Sequence, residues 1–133
     1  MFFGYFLALL DWWKTGVRLR GRKSKPLFKE GEVWWTSIGL NIGVEIFGKG
    51  DQFARPVLIF KKFNADSFLG IPLTSRLKDE LWYIPLRCVD REARAVLSQT
   101  RCFDAKRLMK RMVALTDEQF VAIKQMFLDR YGS

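Results

Sequence analysis

Apolar side chains crowd the middle of the chain in a strand-like pattern. Val57 to Phe63 is a β-branched and aromatic run, and Phe68 to Leu73 is another. Between them Asn64-Ala65-Asp66-Ser67 is a cluster of turn formers whose Asn and Asp can bond their own backbone. The pattern predicts one β-hairpin over Ala54–Thr74. Pairing Phe63 with Phe68 sets Val57 opposite Thr74 and Arg55 opposite Arg76, and a slip of one residue still leaves Arg55 and Thr74 neighbours at the open end. Pro56 suits the first residues of a strand and holds Arg55 extended. A guanidinium and a hydroxyl fixed side by side there would grip a phosphate; the plainer alternative is a strand-end arginine packed on a sheet edge.

The flanking pattern predicts further short strands. Glu32–Ile38 alternates, with Val33, Trp35 and Ser37 facing one way and Trp34, Thr36 and Ile38 the other. Gly39–Phe53 holds four glycines and few strand formers, and a connection of that length marks a functional loop. Arg76–Leu81 reads as a charged loop, Trp82–Cys88 as a strand placed at an edge or bulge by Pro85, Asp90–Arg94 as a charged turn and Ala95–Arg101 as the next strand. Asp104 caps a short helical segment over Ala105–Arg111 with a basic face, and Met112–Leu115 is a last short strand. Thr116-Asp117-Glu118-Gln119 is a capping box that opens a helix to Tyr131, with Phe120, Ile123, Phe127, Leu128 and Tyr131 as its apolar stripe and Gly132 as its end. Six short strands with one or two helices predict a small curled barrel of mostly β (α+β) class.

Charge divides the chain in two. Of the formal net charge of +9, most lies in an N-terminal leader over residues 1–30, where Lys14, Arg18, Arg20, Arg22, Lys23, Lys25 and Lys29 run without an acid. The domain over residues 31–133 is only mildly basic. A basic balance suits nucleic acid, an acidic protein segment or an anionic membrane. Met1–Trp13 is strongly apolar, but ten helical residues span only about 15 Å, half a bilayer core. Docking on the domain or on a partner is its favoured role; membrane contact through residues 1–13 is the alternative. Thr15–Lys29 reads as a basic linker.

The chain has no histidine and its two cysteines, Cys88 and Cys102, lack CxxC spacing. That removes most zinc sites, histidine bases and Ser/His triads, and no P-loop, GxGxxG or paired-carboxylate motif is present. The expectation is no metal and no cofactor.

Several short motifs stand in a particular order along the chain. They are Gly31-Glu32-Val33-Trp34-Trp35, Gly43-Val44-Glu45, Arg55-Pro56-Val57-Leu58 and Ile71-Pro72-Leu73-Thr74-Ser75, followed by Ser98-Gln99-Thr100-Arg101 with Asp104 and Arg107-Leu108. In this order and spacing the chain resembles the MazF/PemK toxins of bacterial type II toxin–antitoxin systems. The resemblance implies an SH3-like small β-barrel, a cytoplasmic homodimer, and metal-independent cleavage of single-stranded RNA or mRNA. Its partner would be a cognate antitoxin with an acidic, partly disordered segment. By the same likeness Arg55 and Thr74 are catalytic, while Glu45, Ser75, Arg76, Ser98, Gln99 and Arg101 line the RNA path. Bases would stack on exposed aromatics such as Trp82 and Phe47. Some relatives carry an acid where this chain has Ser98, and some use a histidine that it lacks, so the general base is unassigned. A barrel that binds nucleic acid or an acidic peptide without catalysis is the alternative.

Overall fold

In the computed structural model the described residues are 26–38 and 54–132. They form strands β1 (Glu32–Ser37), β2 (Ala54–Lys62), β3 (Ser67–Thr74), β4 (Tyr83–Cys88), β5 (Arg91–Val96), β6 (Arg101–Asp104) and β7 (Leu108–Ala114), then helix α1 (Asp117–Tyr131). The sheet is antiparallel in the order β4-β5-β3-β2-β1-β7, with β6 also paired to β3. The same edge of β3 takes β6 along Ser67–Gly70 and β5 at Leu73–Thr74, so the sheet folds over into a curled half-barrel. The mostly β fold with a C-terminal helix is the one expected.

Strand alternation divides the core into two layers. Val33, Leu58, Ile71, Leu73 and Ile84 pack under Ile123 of α1, while Trp34, Val57, Ile59, Phe68 and Phe103 pack on the other face with Phe28. Burying each such side chain fully contributes about 1.5–3 kcal/mol. The opposite facing of Val33 and Trp34 is as the alternation predicted. Thr116 caps α1 by accepting the Gln119 N–H at 3.2 Å, again as expected. Phe60 stacks on Phe127 at 4.4 Å and meets Phe120 edge-on at 6.2 Å, fixing the helix to β2. Leu128, placed in the apolar stripe from the sequence, is 67% exposed instead, and Met126 packs against the core.

Other expectations need correction. The hairpin register differs from the one the turn suggested. At the turn Lys62 pairs with Phe68, because both Phe63 N–H and Asn64 N–H go to the Ser67 carbonyl. A bulge between Ile59 and Lys61 then shifts the open end again, to Val57 opposite Pro72. Extended along the strands, that register sets Arg55 opposite Thr74, not Arg76. The charged segment from Arg91 to Arg94 is strand rather than turn; the reversal is compressed into Val89-Asp90, with Val89 at φ 60°. The strand expected over Ala95–Arg101 breaks at a 3-10 turn, Leu97–Gln99. Only Ile71 and Pro72 of β3 lie between its pairings with Ala95 and Arg101, so the longer opposing segment must turn out. Asp104 does cap, accepting the Lys106 N–H at 2.8 Å, but the helical segment is one turn, Ala105–Arg107, and Lys110 and Arg111 belong to β7.

Gly70 lets β3 pack closely against β2 and β6 within the layer away from α1. A Cβ there would lie 2.7 Å from both Val57 and the Phe103 ring, which is itself stacked on Phe68 at 5.5 Å. Gly70→Ala is expected to destabilise the domain by about 1–2 kcal/mol through overpacking. Urea denaturation should show a lower midpoint with an unchanged slope.

Candidate functional site

A groove of about 440 Å³ opens at the loose end of the β2–β3 hairpin. Ala54, Arg55 and Pro56 come from the start of β2, and Leu73, Thr74 and Ser75 from the end of β3 and just beyond it. One wall is Trp35 of β1 with Met112 of β7; the other is the β4–β5 hairpin, through Cys88, Arg91, Glu92 and Ala93. The two walls meet where the Cys88 thiol donates to Met112 Sδ at 3.4 Å. Burial pushes the Cys88 thiol up, which keeps it protonated and a poor nucleophile.

Arg55 is half-buried, and its Nη1–H donates to the Leu73 carbonyl at 3.3 Å. Its pKa lies below the ordinary arginine value, first through burial and then through the nearby charge of Arg76. A guanidinium that is partly desolvated and faces a like charge gains most when an anion arrives between them. Thr74 is buried to 9% exposure, and its Oγ1 accepts the Arg76 N–H at 3.2 Å. That bond fixes the rotamer and leaves the hydroxyl proton to be donated. Arg55 and Thr74 share a strand face with Val57 and Pro72, whereas Pro56 and Leu73 lie on the face of the α1 layer, and all four line the groove at the strand ends.

The fold thus gathers Arg55, Thr74 and Ser75 at one groove, with Arg76 exposed beside it. Ser98 is exposed and Gln99 half-buried on the 3-10 turn, outside the groove lining and alongside the middle of β3. Arg101 pairs opposite Gly70 on β6, with its guanidinium 4.7 Å from the centre of the Phe103 ring. Glu45 and Phe47 lie outside the described residues. Trp82 is no open platform: its ring packs against Tyr131 of α1 at 5.1 Å. Among the described residues no three His, Cys, Asp or Glu side chains gather as a metal would require, and no helix is long and apolar enough to cross a membrane. Trp35 and Arg91 were not singled out for the site from the sequence. The alternation of Trp35 with Val33 was its one available signal, whereas the turn reading of Asp90–Arg94 hid Arg91.

The same architecture is found in solved structures. The chain is similar to MazF from Deinococcus radiodurans (TM-score 0.62, 17% identity, 84% of this chain and 100% of that one). It is also similar to an endoribonuclease in complex with its cognate antitoxin from a mycobacterial species (TM-score 0.61, 12% identity, 80% and 96%). A third similar structure is the Mycobacterium tuberculosis toxin MazF-mt6 (TM-score 0.53, 16% identity, 65% and 93%). At these identities the likeness is one of fold. No curated protein matches the chain significantly. The family model described as PemK-like, MazF-like toxin of type II toxin-antitoxin system matches residues 29–129, which contain every described strand and nearly all of α1. The chain therefore belongs to the PemK-like, MazF-like toxin family of type II toxin–antitoxin systems.

Proposed function

We propose that this toxin is a metal-independent endoribonuclease that cuts single-stranded RNA at the groove between Arg55 and Thr74. The observation that carries the reading is the register of β2 and β3, which brings a partly desolvated guanidinium and an oriented hydroxyl to the same groove mouth. In the proposed reaction the ribose 2′-oxygen bonds to the adjacent phosphorus and the 5′-oxygen leaves. The 2′-OH loses its proton and the departing oxygen gains one, giving a 2′,3′-cyclic phosphate and a 5′-OH. Negative charge builds on the non-bridging oxygens, where Arg55 donates two parallel bonds. Thr74 positions the 2′-OH or a phosphate oxygen; its own hydroxyl is too weakly acidic to serve as the base.

The natural occupant of such a site between bouts of activity is an antitoxin whose acidic segment competes for the same guanidinium. A similar structure is described as an endoribonuclease with its cognate antitoxin, which supports that partner. A cytoplasmic homodimer completes the proposal, by the same family likeness.

The test is purified protein on mixed-sequence RNA in excess EDTA. Cleavage should persist and leave cyclic phosphate and 5′-OH ends. A requirement for added Mg²⁺ would sink this mechanism, and RNA that is bound but never cut would make the protein a binding module instead.

A further inference from the structure

Trp35 and Arg91 lie beside the proposed chemistry but take no part in it. Trp35 alternates along β1 with Val33, which is buried in the layer under α1, yet Trp35 stays 38% exposed where the groove opens. Facing it, Arg91 alternates along β5 with Ala93 and Ala95, both packed towards that same layer, which directs Arg91 to the groove side of the strand. Arg91 forms no ion pair among the described residues. The floor between them is apolar, built from Pro56, Leu73 and Met112, and Glu92 is the one acid in the lining. A flat aromatic ring, an apolar floor and a cation across the gap complement one unit of single-stranded nucleic acid, a base with its phosphate.

We propose that Trp35 and Arg91 form a nucleotide subsite: Trp35 stacks the base next to the cut, and Arg91 holds the phosphate one step further along. This rests on the RNA-cleaving reading and adds where the neighbouring nucleotide is seated. Stacking tolerates every base, so Trp35 supplies affinity and alignment, while Arg91 supplies a charge contact with a defined salt signature.

The test uses the full chain and an RNA it cuts, made uncleavable by a 2′-deoxy nucleotide at the mapped cut. Affinity is measured by fluorescence anisotropy across a salt series, and sedimentation reports the oligomeric state of each variant. Trp35→Ala should weaken binding roughly 5- to 150-fold, the range for one stacked base, with Trp35→Phe close to the parent. Its salt dependence should be unchanged. Arg91→Ala should make the slope of log K against log salt shallower by about 0.7, and Arg91→Lys should restore it. An abasic position adjacent to the cut should weaken the parent protein but not Trp35→Ala. Should Trp35→Ala fail to fold, the abasic scan on the bulkier, non-stacking Trp35→Leu and the Arg91 salt series still decide.

If the parent cuts RNA but both alanine variants match its affinity and salt slope, the subsite is wrong and the function stands. If affinity falls only as the sedimenting mass changes, Trp35 packs copies of the chain together and the subsite is again overturned. If the parent neither binds nor cuts RNA, the functional reading falls and takes the subsite with it.

Discussion

Arg55→Ala is expected to slow single-turnover RNA cleavage by about 10²–10³-fold, roughly the 2.7–4 kcal/mol of a lost oxyanion donor. Affinity should fall much less, because Arg76 remains exposed beside the groove and Arg91 lines it. The division arises because charge on the non-bridging oxygens is greatest in the transition state, so a donor aimed there acts on the rate more than on binding. Arg55→Lys keeps the charge but loses the planar fork, and it should remain slow. Folding has to be measured on the same samples. Arg55 also donates to the Leu73 carbonyl, and a purely structural role would make activity follow the folded fraction. A folded Arg55→Ala protein that cuts at the parental rate would remove Arg55 from the site.

The second large effect is on stability and lies at the far end of β1. Glu32 is 6% exposed; its Oε1 accepts from Lys29 N–H at 2.8 Å and Trp34 Nε1–H at 3.1 Å, and its Oε2 from Arg111 Nη1–H at 3.1 Å. One carboxylate thus ties the entry segment to β1 and β7. Glu32→Ala would strand the buried indole N–H and loosen the other bonds, which should cost about 2–3 kcal/mol in urea denaturation at neutral pH. Burial by itself would raise the Glu32 pKa, but the bonds from Trp34 and Lys29, with the bond and charge of Arg111, outweigh it and hold the carboxyl below its ordinary value. The sign follows. A depressed folded pKa contributes stability above the unfolded value, and that stability is lost as pH falls through the folded one. The gap between the parent and Glu32→Gln should therefore narrow on acidification below the ordinary glutamate value. A gap that stays constant as pH falls through that range would mean the ionised form is not what the network holds.

The sequence conveyed features encoded over a few residues. Alternation located β1, the Asn64–Ser67 cluster located the hairpin, and the Thr116 capping box located the start of α1. What it concealed depends on partners distant in the chain. The hairpin register turned on Phe60, a residue β2 can spare to the bulge because the ring packs between Phe120 and Phe127 of α1. Arg91-Glu92-Ala93-Arg94 looks like a solvated turn by composition. It is a strand because Ala93 and Ala95 bury one face while Glu92 and Arg94 take the other, and the actual turn places Val89, without the usual Gly or Asn, at positive φ. Lys110 and Arg111 suggested a helix face but belong to β7, whose pairing with β1 is irregular enough to blur the two-residue period.

Arg55 and Thr74 were legible as neighbours because one hairpin joins them, and Ser75, expected from the resemblance, follows Thr74 into the same groove lining. The opposite walls come from β1, β4, β5 and β7, brought together only by the curl of the sheet.

The proposed chemistry is tested most directly with one RNA made in two versions that differ by a single oxygen, the 2′-OH of the mapped cut nucleotide. The ribose version should be cut in excess EDTA to a 2′,3′-cyclic phosphate, while the deoxy version should bind with similar affinity and stay intact. Cleavage of both versions at the same bond and the same rate would contradict attack by the 2′-OH at the Arg55–Thr74 groove.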